Sequence, residues 1–147
     1  MLRQGPIPRF VHGFVEYAAA VLFFVAPFVL DFQAGAATAA SIIAGVIVLF
    51  LAASTEGPTS LINYVPLAAH VVLDYALAGV LIAIPFVLGF SDETEPTAFF
   101  IGLGVLHLLV TIGTRFRPHD RREERPRAKE PGAARGDVPA GRPADRR

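Results

Sequence analysis

Two histidine–acid pairs are the residues of this 147-residue chain that are best suited to chemistry. His12 precedes Glu16 by four residues, and His70 precedes Asp74 by four residues. Residues four apart lie on one face of an α-helix, so the two members of each pair would be side by side. Imidazoles and carboxylates can bind a metal ion, carry protons or form ion pairs. Which of these applies depends on the elements that position the pairs.

Both pairs lie in segments that repeat each other. A shift of 58 residues aligns residues 12–32 with residues 70–90, and nine of the 21 positions are then identical. A shift of 59 residues continues the match through a second segment, which ends at Thr55 in one copy and at Thr114 in the other. The repeated unit is therefore a pair of segments. The matched residues include His12/His70, Tyr17/Tyr75, Pro27/Pro85 and Phe28/Phe86.

The repeated segments are long and apolar enough to cross a membrane, which requires about 20 residues each. No Lys or Arg lies between Phe10 and Arg115, and 53% of the chain is hydrophobic. We predict an all-α membrane protein with four transmembrane helices, arranged as two tandem parallel hairpin repeats. The predicted spans are residues 11–30, 34–53, 66–90 and 97–114. The predicted domains are an N-terminal segment (1–10), the first hairpin (11–53), a loop (54–65), the second hairpin (66–114) and a tail (115–147).

The charged residues predict the orientation in the membrane. Basic residues such as Arg9 and Arg115 flank the four spans. The charged residues of the two loops on the opposite side, among them Asp31 and Asp92, are all acidic. The positive-inside rule therefore predicts that both termini and the 54–65 loop are cytoplasmic.

The C-terminal tail differs in composition from the rest of the chain. Residues 118–147 are rich in Pro, Arg, Glu, Ala and Gly and contain no aromatic residue. Such a segment cannot bury enough apolar surface to fold alone, so we predict a disordered tail. A contact between residues 115–127 and anionic lipids is a second interpretation of the same arginines. These arginines alone do not indicate nucleic-acid binding.

Three roles are open for the two histidine–acid pairs. In the first, each histidine pairs with the acid of its own helix, and Tyr17 and Tyr75 anchor the same helix ends at the interface. In the second, the pairs form an interior polar site that carries protons or binds a small cation. In the third, they bind Zn or Fe. We favour the first role, without a cofactor or a bound metal, because positions that recur in both repeats belong to the architecture.

His107 has no counterpart in the first repeat, where the equivalent residue is Val48. We predict a hydrogen-bonded interior histidine at this position instead of a metal ligand. Bundles that bind metals through bridging carboxylates place acids on all four helices, but the second and fourth spans contain none. The absence of cysteine excludes disulfides and Cys-based metal sites.

A proline followed by an aromatic residue stands near the end of the first segment of each repeat. The two copies read Ala26-Pro27-Phe28 and Ile84-Pro85-Phe86, and each is followed by Val-Leu, a polar loop and a glycine-containing segment. This order resembles the SPW-repeat family of small bacterial integral membrane proteins, although neither copy has the Ser or the Trp of the signature. The resemblance implies a multi-pass protein of the bacterial plasma (inner) membrane without a defined biochemical role. It carries over no catalytic residue.

These observations together predict a non-enzymatic membrane protein with a structural or interaction role. A small proton or cation carrier is the alternative. The expected partners are the lipid bilayer and either further copies of the chain or another membrane protein. Small-residue spacings, such as Ala40-x3-Ala44 and Ala98-x3-Gly102, allow close helix contacts, and we expect them to serve packing inside the bundle.

Overall fold

A computed structural model describes residues 5–116 of the chain, which form four α-helices. The helices are α1 (Arg9–Val29), α2 (Gly35–Ser54), α3 (Leu67–Val87) and α4 (Thr94–Gly113). Each is long and apolar enough to cross a membrane. The predicted fold class, an all-α protein with four transmembrane helices in two tandem hairpins, is confirmed. The predictions for the tail at 118–147 lie outside the described residues.

The first and third helices end with the same kind of turn, two residues after their prolines. In each turn, the second residue after the helix adopts a left-handed backbone conformation, with φ of 53° at Asp31 and 71° at Gly89. A hydrogen bond then closes each turn, because the N–H of the following phenylalanine donates to the proline carbonyl at 3.0 Å and 2.9 Å. Therefore α3 ends at Val87, three residues before the predicted end of its span.

The fourth helix begins earlier than its predicted span. It starts at Thr94 instead of at residue 97, so Glu95 and Pro96 belong to its first turn. Proline is tolerated there because the first N–H groups of a helix have no intrahelical acceptor. A carboxylate in the first turn also interacts favourably with the helix dipole.

The two helices of each hairpin approach each other closely at one glycine. Gly45 of α2 lies against α1, and a Cβ built there would come within 2.9 Å of the Phe24 ring. The equivalent Gly104 of α4 lies against α3, where a Cβ would come within 2.9 Å of Ile82. Ser41 strengthens the first contact by donating to the Phe23 carbonyl at 2.6 Å. In both hairpins, a glycine at the equivalent position therefore allows the two helices to pack closely.

Phenylalanine rings fill the half of the bundle that contains the α1–α2 and α3–α4 loops. Phe23 and Phe100 are almost fully buried, and their ring centroids are 6.0 Å apart. Phe99 lies edge-on to Phe23 at 5.5 Å and packs against Phe32 at 5.8 Å. Phe90 packs against Phe100 at 5.5 Å. The interior of this half is consequently apolar.

The small residues of α2 and α4 have different surroundings. Ala40 and Ala44 are buried inside the bundle, as predicted. Ala98 and Gly102 are exposed, and a Cβ at Gly102 would meet nothing within 4 Å. The packing role predicted for the α4 spacing is therefore wrong, because Ala98 and Gly102 line an open groove between α1 and α4 instead of a close helix contact.

The two repeats exchange short backbone contacts at the opposite end of the bundle from the phenylalanine rings. Ile7, just before α1, exchanges hydrogen bonds of 2.9 Å with Gly113, the last residue of α4, and with Arg115, just after that helix. Val65, just before α3, pairs in the same way with Ser54 and Glu56 at the end of α2. Such reciprocal contacts are those of a twofold relation between the hairpins. They bring the beginnings of α1 and α3 together, and these carry His12 and His70.

Candidate functional site

The two histidine–acid pairs meet between α1 and α3 and form one group, here called the His–carboxylate cluster (His12, Glu16, His70 and Asp74). Within a helix, His12 Nε2 lies 3.7 Å from Glu16 Oε1, and His70 Nε2 lies 3.3 Å from Asp74 Oδ2. Between the helices, His12 Nε2 lies 3.2 Å from Asp74 Oδ2, and His70 Nε2 lies 3.3 Å from Glu16 Oε1. Helical spacing predicts only the first kind of contact. The second kind makes a four-residue site that is shared by both repeats.

The four side chains of the cluster are almost fully buried. His12, Glu16, His70 and Asp74 expose between 0% and 4% of their surface. The ring of Phe116 covers one side, edge-on to His12 with a centroid distance of 5.4 Å. Ionised groups taken out of water are costly unless other charges or hydrogen bonds compensate them. The arrangement of these four side chains must therefore supply that compensation.

Each cluster histidine has a threonine of the other repeat as its partner at Nδ1. His12 Nδ1 lies 2.9 Å from Thr114 Oγ1, and His70 Nδ1 lies 2.8 Å from Thr55 Oγ1. Each threonine directly follows a helix, and its hydroxyl donates to the carbonyl four residues earlier, at 2.7 Å for Thr55 and 2.6 Å for Thr114. A hydroxyl has only one hydrogen to donate. Both threonines must therefore accept a hydrogen bond from Nδ1–H of the histidine.

These threonines orient both imidazole rings in the same way. With Nδ1 carrying a hydrogen, the other nitrogen, Nε2, points at the carboxylates. His12 Nε2 and both Asp74 carboxylate oxygens nevertheless lack a hydrogen-bond partner among the described residues. The contact distances of 3.2–3.7 Å also exceed the roughly 2.7–2.9 Å of a well-formed charged hydrogen bond. The two Nε2 atoms and the two carboxylates therefore surround a common centre without forming close hydrogen-bonded pairs.

His107 of α4 extends the cluster on one side. Its Nε2 lies 3.6 Å from the second oxygen of Asp74, Oδ1, and the side chain is 8% exposed. The residue is interior, as predicted, and its Nε2 faces Asp74 Oδ1 just beyond hydrogen-bond distance. The other carboxylate oxygen of Asp74, Oδ2, faces His12 and His70.

The two tyrosines that follow the cluster differ in their contacts. Tyr17 is partly buried and donates to the Thr59 carbonyl at 3.1 Å, which ties α1 to the α2–α3 loop. Tyr75 is 42% exposed on the outer surface of α3. The two tyrosines therefore do not share their contacts, and the anchoring role expected for both stays a prediction.

The proline–phenylalanine pairs lie far from the cluster, near the opposite ends of α1 and α3. Pro27 and Pro85 are buried, whereas Phe28 and Phe86 are 72% and 61% exposed. The structure therefore does not bring these residues to the site. Their exposed rings belong to the apolar outer surface.

A small cavity of about 30 Å³ lies beside the cluster. Its lining runs from His12, Glu16 and His70 to Arg9 and the exposed Glu56 in the α2–α3 loop. The Arg9 guanidinium donates to the Glu56 carbonyl at 2.6 Å and so joins α1 to this loop. A water molecule needs at least about 10–15 Å³, so the cavity has room for water or a small ion.

A family model described as the SPW repeat domain matches residues 10–115, which include the cluster and the four helices apart from Arg9, the first residue of α1. The chain belongs to this family. No curated protein and no solved structure gives a significant match. Together with the four apolar helices, membership shows that this SPW repeat protein is a multi-pass membrane protein whose exposed apolar side chains contact the lipid bilayer.

Two threonines belong to the site that were not predicted from the sequence. Thr55 and Thr114 are one of the matched pairs of the repeat, and each lies where an apolar span ends. Their recurrence in both repeats could have indicated a shared role. It was not specific, because polar residues are common at the ends of membrane spans. Phe116 also joins the site, and it follows the last repeated position by two residues, where the repeat gives no signal.

Proposed function

We propose that this SPW repeat protein is a non-enzymatic membrane protein in which the His–carboxylate cluster locks the two hairpins together. The supporting observation is the exchange of partners between the repeats, at 3.2 Å for His12 with Asp74 and 3.3 Å for His70 with Glu16. Lipid is as apolar as the helix surfaces, so the hydrophobic effect does little to join helices in a membrane. Polar contacts between α1 and α3 would therefore fix how the hairpins associate.

The size of the cavity at the cluster supports a role without catalysis. Sites for small molecules usually measure about 300–1,000 Å³. The cavity beside His12, Glu16 and His70 measures about 30 Å³, and Phe116 covers His12. An organic substrate would not reach the imidazole or carboxylate groups without opening of the bundle.

The charge distribution supports a cytoplasmic position for the cluster in a bacterial plasma membrane. Arg9 and Arg115 lie at the same end of the bundle as the cluster, whereas Asp31 and Asp92 lie in the loops at the other end. By the positive-inside rule, both termini and the α2–α3 loop would face the cytoplasm. The lock would then act just inside that face.

The carrier alternative is less well supported by the interior of the bundle. The cavity opens the cluster toward one end only, and the other half of the interior is filled by Phe23, Phe99 and Phe100. A carrier would need a polar path through this half, or a large rearrangement. Unfolding measurements test the lock, and flux measurements test the carrier.

The proposed lock predicts energetic coupling between the two repeats. The test is a double-mutant cycle of His12→Asn and Asp74→Asn, read out by unfolding of the full chain in detergent. We expect a coupling free energy of about 0.5–3 kcal/mol, the range for directly contacting residues. His12→Asn combined with Asp92→Asn is the matched control and should be additive, because Asp92 lies at the opposite end.

Two results would contradict the lock. One is additivity of His12→Asn and Asp74→Asn. The other is a specific proton or cation flux in proteoliposomes that disappears in the Glu16→Gln, Asp74→Asn double variant, which would establish the carrier instead. Flux that does not respond to this double variant would exclude the carrier.

A further inference from the structure

We infer that the His–carboxylate cluster is a binding site for one divalent transition-metal ion. The ligands are Nε2 of His12 and of His70 and one carboxylate oxygen each of Glu16 and Asp74. The inference goes beyond the lock between hairpins and does not depend on it, since a cluster without metal could still lock the repeats through ion pairs.

The distances between the four ligand atoms fit a tetrahedron around a metal ion. Bonds of about 2.0–2.1 Å to nitrogen and oxygen give a tetrahedron with edges of about 3.3–3.4 Å. Four of the six edges in the cluster measure 3.7, 3.2, 3.3 and 3.3 Å. All four ligand atoms lie within 4.8 Å of one another. Small movements of the side chains would complete the coordination shell.

The threonine contacts prepare both histidines as metal ligands. Because Nδ1–H donates to Thr114 or Thr55, a neutral imidazole directs the lone pair of Nε2 at the centre of the cluster. A metal-bound histidine almost always donates its other N–H to an oxygen in this way, which fixes the ring orientation. Here the same support occurs twice, once from each repeat.

Charge and burial give a second, independent reason for a bound cation. Glu16 and Asp74 are buried side by side, with exposed fractions of 4% and 0%. Both Asp74 oxygens and His12 Nε2 are buried without a hydrogen-bond partner among the described residues, and the Asp74 oxygen Oδ2 and His12 Nε2 point into the cluster. A divalent cation would neutralise the two carboxylates and bind these unpartnered atoms at the same time.

The ligand types define the class of metal. Imidazole nitrogen suits Zn²⁺ and other first-row transition ions, whereas Mg²⁺ and Ca²⁺ prefer shells of oxygen ligands. Four ligands in a closed, buried shell are typical of a structural zinc site. Access is available through the small cavity that leads from the cluster to Arg9 and Glu56. Zn²⁺ is therefore the probe of choice.

The first test measures Zn²⁺ binding to the full chain, purified in detergent with an affinity tag that contains no histidine. We expect one Zn²⁺ per chain by calorimetry and by elemental analysis, with no competition from Mg²⁺. Asp74→Asn and Glu16→Gln keep the side-chain shapes and should weaken Zn²⁺ binding by at least about 100-fold. Asp92→Asn, the same kind of change in the opposite loop, should leave the affinity unchanged.

Cobalt and the threonines supply readouts that a purely structural role would not alter. Co²⁺ bound at the cluster should show the strong visible absorption of tetrahedral coordination, and Asp74→Asn should abolish it. Thr55→Val and Thr114→Val leave all four ligands in place but remove the hydrogen bond to the ring, together with the bond from the hydroxyl to the helix carbonyl. Each should weaken Zn²⁺ binding by about 10–100-fold. These two variants preserve shape at the helix ends, so they remain informative if a ligand variant fails to fold.

Two results would overturn the metal site while leaving the lock in place. One is the absence of stoichiometric Zn²⁺ binding by the folded wild-type chain. The other is Zn²⁺ binding that persists in Asp74→Asn but disappears in His119→Gln. That pattern would assign the metal to the C-terminal segment of the chain.

Discussion

The two hairpin repeats contribute equally to the His–carboxylate cluster but surround it differently. Each supplies one histidine, one acid and one threonine, and the contacts of one repeat have counterparts in the other. Around this shared centre, α4 presents His107 where α2 has Val48, and Tyr17 is hydrogen-bonded where Tyr75 is exposed. The twofold relation between the repeats therefore determines the cluster itself, whereas the residues that surround the cluster differ between the two repeats.

The largest expected effect comes from the two acids, which are equivalent in sequence but not in contacts. Asp74 lies within 3.6 Å of three histidines, whereas Glu16 lies near two. Removing one member of a buried ionic group leaves the others uncompensated, so Asp74→Asn should cost about 3–5 kcal/mol of unfolding free energy. We expect about 1.5–3 kcal/mol for Glu16→Gln. Unfolding in detergent with a chelator present measures both without a contribution from metal.

His107 provides the control for this difference between the acids. In a His107→Leu background, Asp74 retains only contacts that Glu16 also has. The costs of Asp74→Asn and Glu16→Gln should then converge. Equal costs already in the wild-type background would show that the asymmetry around the cluster has no energetic consequence.

A second difference between the repeats concerns the space beside the cluster histidines. Gly13 follows His12, and a Cβ there would overlap the side chain of Thr59, whereas the equivalent position in α3 is occupied by Val71. Gly13→Ala should therefore destabilise the protein by about 1–3 kcal/mol, as expected for overpacking. The measurement is thermal unfolding, and Gly79→Ala is the matched control.

Gly79 also lies within a helix, but a Cβ there would meet nothing within 4 Å. Gly79→Ala should be neutral or slightly stabilising because alanine has the higher helix propensity. If both substitutions had the same effect, then the α2–α3 loop would not be packed against α1 as the structure shows.

The fold could be predicted from sequence because its determinants are local. Apolar length gives the four helices, and the 58-residue repeat gives the two parallel hairpins. The meeting of the two histidine–acid pairs could not be predicted. Spacing of four residues places His12 and Glu16 on one face of α1, but it does not say whether that face turns toward lipid or toward α3. That choice depends on long-range contacts, such as those of Ile7 with Arg115.

Two further details could not be predicted for the same reason. The contact of His107 with Asp74 depends on how the Asp74 carboxylate is turned, which α1 and α3 decide together. The exposed face of Ala98 and Gly102 depends on the rotation of α4 relative to its neighbours. A single sequence contains the residue types at such positions but not the relative rotation of helices that are distant in the chain.

The smallest expected effect concerns the turns at the ends of α1 and α3. Asp31 and Gly89 occupy equivalent positions, and both have positive φ, at 53° and 71°. A left-handed conformation costs an L-residue about 1–2 kcal/mol, but glycine loses more freedom on folding. Asp31→Gly should therefore stabilise the protein by only about 0.5 kcal/mol, and Gly89→Asp should destabilise it by a similar amount.

The double exchange, Asp31→Gly with Gly89→Asp, isolates the backbone contribution in this comparison. If the two turns are equivalent, then the single effects should cancel, and the melting temperature of the double variant should equal that of the wild type. A clear net loss would mean that Asp31 has a role beyond its backbone conformation.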